Sequence, residues 1–296
     1  MGPVYPVAKS RRTSRRPNAA DTLTAGSVQV LGESVYYRAS GSPEEGPTIL
    51  CLHESGGASA TWQAQLEGLA GGARCLVPDL PGHGQSEGRG HVEISEYRRA
   101  VLASLDALAI RWPVVIAGVC LGAAIAVDLA LHAPERVTGL VLAGIVEGGR
   151  ASSDCRSAAG QGEATEEFVT GLFGDGASRR LLKERLQRWR LTSPIVRFGD
   201  LEAVHRYPLV RMLRLLTVPV LLVAGAEDPI ATPAATATLA AETAGARVVT
   251  LPGAGCLSML EQPASFNGAV AGFLHELRLA LPIAPGIPLQ GGYRRF

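Results

Sequence analysis

One cysteine stands where a nucleophile would. Residues 114–119 form an apolar run rich in branched side chains, which leads into Gly118-Val119-Cys120-Leu121-Gly122 and at once into a long apolar helical pattern. Gly-x-nucleophile-x-Gly between a strand and a helix is the sequence form of a nucleophile elbow, a sharp turn that presents one side chain at its apex. The apex residue takes a strained backbone conformation. Its flanking positions must be small so that neighbouring chain can approach, hence Gly118 and Gly122. A thiol placed there suits nucleophilic chemistry, provided a second group handles its proton. His53 and His83 lie in loop motifs, His132 precedes a helix-ending proline and His91 lies in a loop. His205, beside Arg206 and Tyr207, is the one histidine read as near a pocket. The five cysteines (51, 75, 120, 155 and 256) are odd in number and lack metal-ligand spacing. Cys51 and Cys75 read as small buried hydrophobes. No metal and no cofactor is expected.

The elements that must position this thiol alternate. Residues 27–39 alternate in polarity around Gly32-Glu33, an edge hairpin, and 48–52 is a continuous apolar strand ending in His53-Glu54-Ser55-Gly56-Gly57. A helix over about 60–69, a strand over 74–77, a turn-rich loop over 78–86 and a helix over about 95–109 precede the central strand. The elbow helix, about 121–133, is apolar on almost every side and so expected to be buried. A strand over 137–143 follows. Strand–helix alternation of this kind implies a doubly wound, mostly parallel sheet. The rhythm breaks over 147–216, which holds no strand-like run. Helical patterns lie near 164–174 and 177–190, with Leu182, Leu186 and Trp189 on one face, and Ser193-Pro194 opens another. Strands at 219–225 and 247–251 and helices at 233–243 and 262–280 resume the alternation.

The expected organisation is therefore an arm (1–22, disordered), an α/β core (23–146 and 217–280), a helical cap (147–216) and an extended tail (281–296). A chain of 296 residues with 47 % apolar content can bury a large core. A net charge of +1 gives no reason to expect nucleic acid or a membrane surface as partner. No apolar run approaches the ~20 residues of a membrane span. The cysteine usage fits a reducing cytoplasm.

In order along the chain, these motifs resemble the α/β-hydrolase superfamily over roughly residues 25–280. The matching stretches are Leu52-His53 with Gly56-Gly57, residues 79–86 (Asp-Leu-Pro-Gly-His-Gly-Gln-Ser), the elbow at 118–122, Pro134-Glu135-Arg136-Val137, residues 225–229 (Gly-Ala-Glu-Asp-Pro) and residues 253–263. The resemblance implies an eight-stranded sheet with the cap inserted after strand 6. It puts Cys120 in the nucleophile position, the backbone N–H groups of Leu121 and Ser55 in an oxyanion hole, and Asp228 in the place of the triad acid.

Two residues depart from the pattern. Cys256 stands where the family carries the histidine that acts as general base, and Glu54 stands where it usually has glycine. A thiol does not shuttle protons at neutral pH as imidazole does, so ordinary hydrolysis would fall by ~10⁴ or more. A carboxylate at Glu54 would disfavour a developing anion unless protonated or turned away. Because a histidine reaches its nucleophile through a ring, Cys120 and Cys256 are expected to stand too far apart for a disulfide, leaving space between them.

Three functions follow. The first is a non-hydrolytic enzyme working through an enolate-like anion (conjugate addition, cyclisation, isomerisation, or carbon–carbon bond formation or cleavage) on a sizeable, mostly apolar small molecule, in secondary metabolism. In it Cys120, Cys256, Asp228 and Glu54 are the candidate catalytic residues, and His53, His205, Tyr207 and Trp189 the candidate substrate contacts. The second is a cysteine-nucleophile esterase, thioesterase or acyltransferase with a relocated base. The third is a small-molecule-binding protein without chemistry.

Overall fold

The computed structural model describes residues 23–42, 46–145 and 166–280. The expected arm, the tail and the first part of the expected cap, with Cys155, lie outside the described residues. Eight strands form one sheet: β1 (Thr24–Val30), β2 (Glu33–Ser40), β3 (Thr48–Leu52), β4 (Arg74–Pro78), β5 (Val114–Val119), β6 (Val137–Ala143), β7 (Val220–Gly225) and β8 (Ala246–Leu251). Their spatial order is β1-β2-β4-β3-β5-β6-β7-β8. β2 pairs antiparallel with both β1 and β4, and every later pairing is parallel.

The core follows from the apolar runs. β3, β5 and β7 are buried at every position, as strands covered on both faces must be. Each fully buried Leu, Ile or Val there contributes about 1.5–3 kcal/mol. The helices α1 (Gln63–Gly68), α2 (Ile94–Ala107) and α3 (Leu121–His132) come from the stretches that separate these strands. α3 is buried from Leu121 to Ala130, and its alanines let it lie close on the sheet. Its one buried carboxylate, Asp128, accepts a hydrogen bond at 2.8 Å from Arg98 of α2, so the polar group is not left unpaired.

Between β6 and β7 the described residues hold helices and no strand: α4 (Glu166–Thr170), α5 (Arg179–Leu191), α6 (Pro194–Arg206) and α7 (Leu209–Leu213). The pattern near 164–174 gives only the short α4. Gly171 and Gly174 favour helix poorly, and the Leu172 carbonyl instead accepts the N–H of Cys256 at 2.9 Å. Leu186 and Trp189 of the expected stripe pack with Val169 and Leu201 into a small core of their own. After β7 come α8 (Pro233–Glu242), α9 (Ser258–Glu261) and α10 (Pro263–Ala280). No helix among the described residues is long and apolar enough to cross a membrane.

Register decides what meets at the carboxyl edge of the sheet. Leu52 lies beside Gly118, Gly118 beside Leu142, Val119 beside Ala143, and Ala143 beside Val223. The loops that follow β3, β5, β6 and β7 therefore open at one place, the usual position of a site in a doubly wound sheet.

Candidate active site

The elbow forms as its residue types require. Cys120 has φ 50° and ψ −108°, a left-handed conformation that costs a non-glycine residue of order 1–3 kcal/mol. The two glycines permit the close approach. A Cβ on Gly122 would lie 2.1 Å from the Leu52 carbonyl oxygen, and one on Gly118 2.3 Å from that of Gly122. The Cys120 N–H is held by the Ala143 carbonyl at 3.2 Å, which ties the elbow to the end of β6. Leu121 is the first residue of α3, so its N–H has no acceptor within the helix, and the helix dipole favours negative charge there.

The two thiols meet. Cys120 Sγ and Cys256 Sγ are 3.3 Å apart, both unbridged. The expected space between the two side chains is absent: the sulfurs are in contact, with no disulfide between them. The loop 253–257 comes close to β6 because Gly144, with φ +59°, carries no side chain: a Cβ there would lie 2.5 Å from one sulfur and 2.9 Å from the other. Contact with Cys120, then burial, then the negative charges of Asp228 and Glu54 hold the Cys256 thiol well above its ordinary pKa, so it stays protonated at neutral pH. Asp228 follows β7. Its Oδ1 accepts the N–H groups of Ile230 and Ala231, both at 2.8 Å, while Oδ2 is buried without a partner among the described residues. Burial pushes this carboxyl upward despite the two backbone donors.

The loop after β3 is fixed from above. The Gly57 N–H donates to the Glu54 carbonyl at 3.0 Å, a turn with Ser55 and Gly56 at its corner. Arg185 of α5, 3 % exposed, donates to the carbonyls of Ser55 and Gly56, each at 2.7 Å. Its Nε lies 3.1 Å from Glu54 Oε1, an ion pair whose N–H points off the line of a hydrogen bond. Glu54 also accepts from Thr61 Oγ1 at 3.3 Å, and its carboxylate folds back on its own loop, within 2.8 Å of where a Cβ on Gly57 would stand. Its charge is thus countered by a cation that sequence reading missed. Position 185 falls on the same stripe as Leu182 and Trp189, and an arginine on an apolar stripe was the available signal.

A second buried residue was also missed. Asp200 of α6 is fully buried and gathers Ser55, His83 and Tyr97. Ser55 Oγ donates to its Oδ2 at 2.6 Å, His83 Nε2 lies 3.0 Å from the same oxygen, and the Tyr97 hydroxyl donates to Oδ1. His83 Nδ1 faces the Pro81 carbonyl at 3.1 Å, so both ring nitrogens face acceptors, as in an imidazolium. Burial alone would lower this imidazole, but Asp200, then Pro81 and Asp79, outweigh it and hold its pKa above the ordinary value. Nothing in the local sequence of α6 marks Asp200, whose partners lie more than 100 residues away.

The elbow and the loop after β3 border a small apolar cavity of about 80 Å³ that is partly open to solvent. Cys120, Cys256, Leu121, Ser55 and Glu54 line one side of it. Phe168, Leu172, Trp189 and Leu201 from the segment between β6 and β7 also line it. The guanidinium groups of Arg197 and Arg185 lie over the Trp189 ring, at 5.0 and 5.8 Å from its centre. The other three expected substrate contacts lie elsewhere. His53 is fully buried; its Nε2 accepts the Leu80 N–H at 3.0 Å and its Nδ1 donates to the Glu54 carbonyl at 2.7 Å. Burial, then the neighbouring His83, lower it to about 3, which keeps it neutral. It braces two loops and does not face the cavity. His205 is exposed on α6, and Tyr207 packs toward Asp128 of α3, which with burial raises its phenol. His205 faces solvent and Tyr207 packs on the core beside α3, while Leu201 and Val204 are the α6 residues that line the cavity.

Comparison with known proteins adds to this geometry. A model of the alpha/beta hydrolase family matches residues 49–269. A pimeloyl-[acyl-carrier protein] methyl ester esterase of Pectobacterium carotovorum is 29 % identical over 249 residues, covering 76 % of this chain and 93 % of the relative. A haloalkane dehalogenase of Mesorhizobium japonicum is 34 % identical over 140 residues, 47 % of this chain and 40 % of the relative. Among solved structures, a hydrolase from Pseudomonas aeruginosa superposes with a TM-score of 0.74 at 31 % identity, covering 85 % of this chain and 98 % of the other. The enol-lactonase of Burkholderia xenovorans superposes at 0.77 with 24 % identity, covering 84 % and 100 %.

Proposed function

Because this chain belongs to the α/β-hydrolase family, we propose that it is an enzyme that keeps the family's anion-stabilising elbow and has given up the hydrolytic proton shuttle. One observation carries this reading: the thiol of Cys256 lies 3.3 Å from Cys120, where a general base would act. No histidine lines the cavity among the described residues. A carbonyl oxygen that turns anionic would be met by the N–H groups of Leu121 and Ser55, two residues that line the cavity beside the thiol. Without a base to activate water, such a site suits reactions through an enolate-like anion: conjugate addition, cyclisation, isomerisation, or carbon–carbon bond formation or cleavage. Cys120 holds or shapes the substrate. Asp228, with its free oxygen and raised pKa, is the proton carrier behind Cys256, while Glu54 is occupied by Arg185. The inserted helices act as a cap, and their apolar lining fits a mostly apolar small molecule.

The test is ester hydrolysis. Wild type should turn over p-nitrophenyl butyrate on the order of 10⁴-fold more slowly than a complete triad would. Cys256→His, which restores an imidazole beside Asp228, should raise that rate. Wild-type turnover near the ~10 s⁻¹ of ordinary enzymes would end this reading.

The names of the relatives favour a second one, in which Cys120 is an acyl-accepting nucleophile of an esterase, thioesterase or acyltransferase. A thiol needs less activation than a hydroxyl. Intact mass after incubation with an activated thioester separates the two readings. An acyl adduct on Cys120 supports the second, and its absence counts against it.

A further inference from the structure

We propose that Cys120 and Cys256 form a redox-active dithiol that reduces apolar organic hydroperoxides and closes reversibly to a disulfide. The inference stands on the contact itself and holds whether or not the site hydrolyses esters. Three features of the geometry support it. The sulfurs already touch at 3.3 Å, so bridging needs them to close by little more than an ångström. The two are unequal. Cys120 is partly exposed in the cavity, while Cys256 is 2 % exposed and sits behind it, the arrangement of an attacking and a resolving thiol. The cavity beside them is walled by Phe168, Leu172, Trp189 and Leu201, which admit an apolar oxidant.

The chemistry balances without a histidine. Cys120 Sγ attacks the outer oxygen of the hydroperoxide; an S–O bond forms, the O–O bond breaks, and the thiol proton leaves with the alkoxide as an alcohol. The developing alkoxide lies by the free N–H of Leu121, where negative charge is favoured. Cys256 Sγ then attacks the sulfenic sulfur; the S–S bond forms, the S–O bond breaks, and the Cys256 proton departs with hydroxide as water. Two equivalents of a low-molecular-weight thiol reopen the disulfide by exchange and are themselves oxidised to a disulfide. The remaining described cysteines take no part: Cys51 and Cys75 are buried in the core and do not line this cavity.

Reduced full-length protein treated with cumene hydroperoxide tests this. The expected result is a loss of two hydrogens by intact mass, a linked Cys120–Cys256 peptide under non-reducing digestion, one equivalent of cumyl alcohol, and reversal by dithiothreitol. Cys256→Ser should stop at a sulfenic acid on Cys120 that dimedone traps, and Cys120→Ser should leave the oxidant unreduced. Three outcomes would overturn the proposal: no cross-link in wild type, a cross-link to Cys155 in place of Cys256, or dimedone trapping of Cys120 that is equal in wild type and Cys256→Ser. Faster oxidation by hydrogen peroxide than by cumene hydroperoxide would overturn the assigned substrate class.

Discussion

At Gly144 the two sulfurs leave no room for a methyl group. A Cβ would stand 2.5 Å from Cys256 Sγ and 2.9 Å from Cys120 Sγ, on a backbone whose φ of +59° already disfavours any side chain. Gly144→Ala is expected to cost roughly 1–3 kcal/mol, through overpacking and backbone strain together. Urea denaturation measures the loss, and a variant as stable as wild type would show that the sulfurs part freely. The same substitution should slow closure of the disulfide, because it wedges the thiols apart. Cys120 and Cys256 were both legible as site residues, since each sits inside a motif whose neighbours fit. Their contact was not. A thiol is shorter than an imidazole, and only the path of loop 253–257 past Gly144 shows that the two sulfurs meet.

At the scale of elements, α5 holds the loop after β3 through one side chain. Arg185 joins the carbonyls of Ser55 and Gly56 to the carboxylate of Glu54, and all of this lies out of solvent. Removing the cation leaves Glu54 buried beside unpaired carbonyls. Arg185→Met is therefore expected to cost roughly 3–5 kcal/mol, and Glu54→Gln in the same chain should recover part of it. A double-mutant cycle by thermal or urea denaturation should give a coupling of about 0.5–3 kcal/mol, whereas strictly additive losses would show that the pair is not coupled. The element itself was legible: Leu182, Leu186 and Trp189 announced a helix with one apolar face. The arginine on that face carried the further message, that something anionic or carbonyl-rich lies beneath.

For the whole molecule, two adjacent buried histidines set opposite slopes of stability against pH. His83 has a folded pKa raised above the unfolded value of about 6.5, so its contribution is complete below that pH and is lost as pH rises through the folded value. His53 is lowered to about 3, so the unfolded chain binds its proton first and stability falls as pH drops below about 6.5. Groups facing them include Asp200 from α6, Tyr97 from α2 and Asp79 after β4. Stability should peak near neutrality on the acid side, at about pH 6–7. Asp200→Asn should flatten the alkaline limb and leave the acid limb in place. Denaturation midpoints across pH 4–9 give the measurement; unchanged alkaline slopes in Asp200→Asn would show that the His83–Asp200 pair does not carry them.

The sequence by itself determined the strands, their mostly parallel order, the elbow and the two departures from the family pattern, Glu54 and Cys256. These are local matters. A branched apolar run, a glycine that must admit a neighbouring chain and a proline that ends a helix each act within a few residues of themselves. Tertiary structure alone decided which groups satisfy one another across distance. Arg185 answers Glu54 from 131 positions away, Asp200 gathers Ser55, His83 and Tyr97, and Cys256 closes on Cys120 across 136. A buried charge or thiol must find its partner wherever the packed chain puts one, and no local spacing records that place.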